Sequence, residues 1–219
     1  MNTSITALRP ILDKLHAQAE SLDQPTIERA LLAAEERNAT SEVDVADILV
    51  DAFIPIDPLN GQLMHTLAAA RRPGRIVEFG TSMGVSAIYL AAALRDGEAP
   101  IVATEIEPAK VARARQHLES AQLADRVDLR EGDAFDTLAD WDSPISLLFL
   151  DGWKDMYLPM LKMLEPYLVD GAYVIADDTI LFADRCAPLL DYLHADGNGY
   201  ATTSLPIGDG IEIACRVAA

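Results

Sequence analysis

Apolar positions in the first 72 residues recur every three or four places, in ILDKLHAQAESL (11–22), TIERALLAAEE (26–36), VDVADILVDAF (43–53) and NGQLMHTLAAARR (60–72). That spacing predicts four helices, with breaks at Pro25 and at Asn38-Ala39-Thr40-Ser41 between them. From residue 75 the period changes. Short apolar runs at 75–79, 101–105, 127–130, 145–150 and 173–176 alternate with amphipathic stretches near 85–95, 108–122, 155–168 and 183–195. Nearly continuous apolar strands separated by helices predict a parallel sheet covered on both faces. The final stretch, YATTSLPIGDGIEIACRV, reads as two strands joined by a turn too short for anything but antiparallel neighbours. The expected fold is α/β and doubly wound: a mostly parallel seven-stranded sheet with one antiparallel strand near its edge. Residues 1–72 are expected to form a helical extension and residues 73–219 the main domain, in a single structural unit.

Composition narrows the partners. The chain has 219 residues, half of them hydrophobic, enough for one packed core. Its formal net charge is −18, from 35 acidic and 17 basic residues, so neither nucleic acid nor an anionic membrane meets a basic patch here. No apolar run reaches membrane-spanning length, and MNTSITALRP has no cationic segment leading into an apolar one, so a cytoplasmic location is expected. Cys186 and Cys215 lie far apart in apolar surroundings and read as buried thiols. The scattered His16, His65, His117 and His194 are assigned no catalytic role.

The candidate chemistry sits where strands end. The first strand leads into IVEFGTSMGVSAIYL, where Gly80 and Gly84 permit a sharp turn before a helix opened by Ser86. Ser82 occupies the place at which a dinucleotide fingerprint has its middle glycine, so a pyrophosphate finds no close backbone approach. Glu78, two residues before Gly80, repels phosphate and attracts an ammonium group. That combination points to a cofactor bearing an amino acid, S-adenosylmethionine. The second strand ends on Glu105, where a carboxylate can accept from both hydroxyls of a ribose. Glu107, just past the strand end, reads as a helix-start charge before Pro108. After the third strand, Asp133 and the backbone near Ala134 are candidates to face an adenine, with Asp136 read as a helix cap.

Residues 60–216 resemble the metal-dependent O-methyltransferases that include catechol O-methyltransferase and caffeoyl-coenzyme A O-methyltransferase. The resemblance is carried by NGQL, VEFGTSMGVSA, TEIEP, EGDA, LDGWKDMYLP and VIADD. It implies a Rossmann-like methyltransferase fold and a cofactor set of Glu78, Gly80, Ser82, Ser86, Glu105, Asp133, Ala134, Asp151 and Trp153. Within that set, Glu78, Gly80 and Ser86 would lie along the methionine half, and Trp153 would mark the boundary between cofactor and substrate.

The strand ISLLFL ends on Asp151 and YVIA ends on the pair Asp177-Asp178, so neighbouring strands bring three carboxylates to one edge. Their mutual repulsion is relieved by a hard divalent cation, and all-oxygen ligands suit Mg2+, or less selectively Mn2+ or Ca2+. The resemblance implies the same: its metal ligands match Asp151, Asp177 and Asp178, the last usually being Asn. Lys154 matches the family's catalytic lysine and is expected to take the proton of a substrate hydroxyl, its pKa depressed by the nearby cation. Asp155 reads as a helix-start charge.

The implied reaction is methylation of one hydroxyl of a vicinal diol or catechol-like small molecule. Thr203 stands near the place at which the catechol enzymes carry an acidic residue, and paired aspartates also resemble macrocin-type sugar O-methyltransferases, the second reading. A third, of another class, is a non-catalytic S-adenosylmethionine-binding scaffold. The N-terminal helices are expected to close over the substrate, and a homodimer contact there is a further expectation.

Overall fold

The strand segments read from the sequence form one seven-stranded sheet. A computed structural model describes residues 5–37 and 51–217, the side chains of 29–37 excepted. In chain order the elements are α1 (Ile5–Arg37), α2 (Pro58–Ala70), β1 (Arg75–Phe79), α3 (Val85–Ala92), β2 (Ile101–Glu105), α4 (Pro108–Ser120), β3 (Val127–Glu131), α5 (Ala134–Thr137), β4 (Ile145–Leu150), α6 (Tyr157–Leu164), β5 (Leu168–Asp177), α7 (Ala183–His194), β6 (Tyr200–Leu205) and β7 (Ile211–Arg216). Short 3-10 turns occupy Ala124–Arg126, Lys154–Met156 and Glu165–Tyr167. The strand order is β3-β2-β1-β4-β5-β7-β6. β7 alone runs against its neighbours β5 and β6, in the second position from the edge.

All six residues of β4 are buried, which explains the unbroken apolar run ISLLFL. Successive side chains enter opposite layers. Ile76, Leu147, Phe149 and Ile175 join a core with α1 to α4. Val77, Leu148, Leu150 and Val174 join a second core with α5 to α7. Leu8, Leu12 and Leu15 of α1, with Phe53 and Met64, belong to the same core as Ile88 of α3, so the described N-terminal helices pack directly on the sheet layer.

Several sequence expectations change here. The break at Pro25 does not occur: α1 is one helix of 33 residues with Pro10 and Pro25 inside it. Proline removes one helical donor and crowds the preceding turn, a cost of about 3 kcal/mol. The buried stripe Leu8, Leu12, Leu15 and Ala19 holds the earlier turns against the sheet layer. Of the helix expected at 43–53, residues 43–50 lie outside the described residues, as does the Asn-Ala-Thr-Ser break, and 51–57 are not helical. The stretch 155–168 is helical only over α6, because 3-10 turns flank it and Pro166 lies in the second. β5 begins at Leu168, five residues before its expected start, and pairs there with Ile145 across a register shift. Cys215 is half-buried, whereas Cys186 is buried as expected. Among the described residues no helix is long and apolar enough to cross a membrane.

Candidate active site

The chain leaves β1 toward β2 and β3 on one side and returns through β4 to β5 on the other, so a crevice opens beyond the carboxyl ends of β1 and β4. Glu78, on β1, is fully buried, and neither of its carboxylate oxygens has a hydrogen-bond partner. Burial pushes its pKa up to about 7; the Ser86 and Thr81 hydroxyls beside it ease this without completing a bond, and Glu105 adds to it. A carboxylate in that state is matched by a cationic group entering the crevice.

The turn after β1 is built for close approach. At Gly80, with φ +82, a Cβ would stand 2.5 Å from Gly152 Cα, so the glycine is required by the loop after β4. Gly84, also left-handed at φ +83, begins α3. Ser82 lies between them at φ +48; its N–H donates to Glu105 Oε2 at 2.8 Å, and its hydroxyl donates to the Phe53 carbonyl at 2.8 Å. Glu105 Oε1 accepts from the Glu107 N–H at 3.0 Å. Each oxygen of Glu105 thus takes one main-chain donor and keeps a lone pair for another. Asp133, not Asp136, caps α5, accepting the Phe135 N–H at 2.8 Å, because its side chain precedes the first helical residue.

A segment missed by the sequence reading covers this end. Asp23 of α1 accepts the N–H groups of Phe53 and Ile54 at 2.7 and 2.8 Å, and the Phe53 ring stacks on His117 with centroids 5.7 Å apart. Residues 53–56 with Thr81, Ser82 and Asp151 enclose a cavity of about 10 Å³, room for one water.

At the other end, Asp151 follows β4, Asp177 ends β5, and Asp178 adopts φ +62. Lys154 Nζ lies 2.7 Å from Asp178 Oδ2 and 3.5 Å from Asp151 Oδ1, and donates to the Tyr157 hydroxyl at 2.8 Å. Asn60 of α2 donates to Asp177 Oδ1 at 3.1 Å and to the Ile207 carbonyl at 3.3 Å, while its own amide oxygen is buried without a partner. Burial, then repulsion from Asp178, pushes Asp177 up to about 7. Burial also holds Asp151 well above the usual carboxylate range; Lys154 opposes this, and Asp177 and Asp178 add to it. For Lys154, burial favours the neutral amine, but Asp151, Asp178 and Asp177 outweigh it and raise the pKa. Among the described residues no three acidic, histidine or cysteine side chains are gathered for one ion. Lys154 sits between Asp151 and Asp178, and Asn60 holds Asp177.

A family model described as a methyltransferase domain matches residues 77–179, from within β1 to just beyond β5. The catechol O-methyltransferase of Sus scrofa is 33% identical over 148 residues, covering 64% of this chain and 76% of that enzyme. The chain belongs to the S-adenosylmethionine-dependent O-methyltransferases of the catechol O-methyltransferase type. Catechol O-methyltransferase B of Danio rerio is 29% identical over 190 residues, 80% of this chain and 69% of that protein. The O-methyltransferase TomG from Streptomyces achromogenes, solved in complex with SAM, shares the fold at TM-score 0.68 with 22% identity, covering 90% of this chain and 91% of that one.

On this O-methyltransferase framework, Ser82, Ser86 and Asp151 line the closed cavity, and Trp153 stands half-buried before the 3-10 turn that carries Lys154. Asp133 is exposed, at the mouth of α5. Asp155 pairs with Arg185 of α7, away from the aspartate cluster. The sequence reading missed Asn60 and Tyr157. NGQL was quoted for its resemblance, yet an Asn at the first turn of a helix carries no local sign of a partner 117 residues away.

Proposed function

We propose that the protein methylates one hydroxyl of a vicinal diol or catechol-like small molecule, with a divalent cation at Asp151, Asp177 and Asp178. The observation that carries the reading is that three carboxylates stand at two adjacent strand ends with one buried ammonium, Lys154, paired to Asp151 and Asp178, while Asp177 meets only the Asn60 amide, and Asp151 and Asp177 are held well above their ordinary pKa. Such a cluster retains negative charge that a hard cation offsets. The donors fit one: they are all oxygen, and the partnerless amide oxygen of Asn60 lies beside Asp177. The fit requires the Lys154 ammonium to withdraw from among them.

Bound S-adenosylmethionine supplies an electrophilic methyl sulfonium, and a bound cation acidifies the hydroxyl it touches. The chain's own groups do the rest. Glu78 faces the amino group of the cofactor and Glu105 accepts from its ribose, while Asp133 and Ala134 flank the adenine. Trp153 and the 53–56 segment exclude water from the reacting centre. Lys154 Nζ takes the hydroxyl proton as the oxygen gains the methyl group. Once the aspartate charge is offset, burial favours the neutral amine that this step needs. Residues 1–72 serve as the cap over cofactor and acceptor.

A sugar hydroxyl is the second reading, because Thr203 is an exposed hydroxyl on β6. The acidic side chain that follows on β7, Glu212, is buried and already bonded to Ser204 and His194. A methyl-transfer screen across catechols, hydroxycinnamates and sugars separates the two. EDTA is expected to abolish turnover and Mg2+ to restore it, with Asp178→Asn binding the metal less tightly. Full activity after chelation overturns the metal reading, and no transfer to any hydroxyl returns the protein to a cofactor-binding scaffold.

A further inference from the structure

Lys110 is the third residue of α4 and is only 8% exposed. Among the described residues it makes no hydrogen bond and no ion pair. Burial depresses its pKa, and the charges that oppose this are Glu105 and Glu107 after β2, Asp23 of α1 and Asp151 after β4. These belong to three walls of the crevice. The helix face agrees with that placement. Lys110, Ala114 and His117 recur at helical spacing; Ala114 lies 3.1 Å from where a Gly84 Cβ would stand, and His117 Nδ1 is 2.8 Å from the Met83 carbonyl. The face therefore lies against the glycine turn, with Lys110 one turn nearer to Ser82 and Glu105.

Its stem is buried and its ammonium has no protein partner, so a methionine would fill the same volume without partly desolvating a charge. Hydrogen-bond accounting suggests what it is kept for. A ribose hydroxyl offers one O–H and two lone pairs. Glu105 can take the O–H of each hydroxyl, but as a carboxylate it has nothing to donate to their lone pairs. Lys110 is the neighbouring side-chain donor that has no protein hydrogen bond among the described residues. We propose that Lys110 binds the cofactor, donating to the ribose oxygens whose protons Glu105 accepts. This rests on the reading of Glu105 as the ribose acceptor.

Calorimetric titration of the full chain with S-adenosylhomocysteine tests it, alongside ligand-free melting curves. Lys110→Met is expected to bind about ten- to hundredfold more weakly, with a melting temperature equal to or above that of the parent, because an unpaired buried charge has gone. Lys110→Gln, which keeps a donor, is expected to recover part of the affinity. Toward the analogue lacking both ribose hydroxyls, parent and Lys110→Met are expected to bind alike. Unchanged affinity for S-adenosylhomocysteine in both variants overturns the proposal, as does an equal loss toward the dihydroxyl-free analogue. A lower melting temperature with unchanged affinity marks a structural lysine and overturns it too. Failure of the parent to bind S-adenosylhomocysteine overturns the cofactor reading itself, a result distinct from any variant effect.

Discussion

The two ends of the crevice handle charge in different ways. At the β1–β2 end, Glu105 is held by main-chain N–H groups of Ser82 and Glu107, and Glu78 is left without a partner. At the β4–β5 end, the carboxylates are held by side chains, with Lys154 between Asp151 and Asp178 and Asn60 on Asp177. Main-chain donors cannot move without unfolding a turn, so Glu105 is fixed in place. Side-chain partners can exchange, so the second end rearranges when a new charge arrives. Preorganised binding and adaptable chemistry are thereby separated along one sheet edge.

The largest expected effect breaks that separation or confirms it. Lys154→Met should lower turnover by roughly a thousandfold while leaving S-adenosylhomocysteine affinity unchanged, since a general base acts on the proton transfer. Lys154→Arg should not rescue, because guanidinium stays protonated. An equal loss of affinity by calorimetry would mean that the two ends act as one.

Next in size is the pH dependence of Glu78. Its folded pKa of about 7 lies above the ordinary 4.5, so the folded chain binds the extra proton and Glu78 favours folding most below pH 4.5. That contribution falls as pH rises toward 7, by up to about 3 kcal/mol. Urea denaturation of parent and Glu78→Gln at pH 5 and pH 7.5 isolates it: the parent should lose more stability than the variant across that interval. A cationic ligand favours the ionised carboxylate, so cofactor affinity should instead rise with pH through the same range.

Glu105→Ala should cost about 2 kcal/mol, roughly thirtyfold, in S-adenosylhomocysteine affinity, with the fold retained by circular dichroism. Unchanged affinity would remove Glu105 from the site. The smallest effect is expected at Asn60→Ala, about 1 kcal/mol of stability by denaturant titration, with cofactor affinity unaltered. A change at the β1–β2 end in this variant would show that α2 couples the two ends.

What could be read in advance was whatever depends on near neighbours in the chain. The β strands were visible as apolar runs because both faces of the sheet are covered, and alternate residues enter different cores. Asp151, Asp177, Glu78 and Glu105 were visible because a charge ending an apolar run is conspicuous. Local chemistry misled at Pro25, where α1 continues through the proline, and at Asp136, where the cap is formed by Asp133 three residues earlier. Gly80 was correctly marked as a turn, but its reason, the backbone of Gly152, lies on another strand's loop.

The sequence by itself determined the sheet, its one reversed strand and the carboxylates at its edge, because strand period and strand-end polarity are properties of adjacent residues. Only the tertiary structure decided which charges have partners. Asn60 reaches Asp177, Asp23 holds the Phe53–Ile54 segment, Glu78 is buried with both oxygens uncommitted, and the Lys110 side chain is largely buried. Whether a buried ion is satisfied depends on atoms distant in sequence, and no local pattern encodes that.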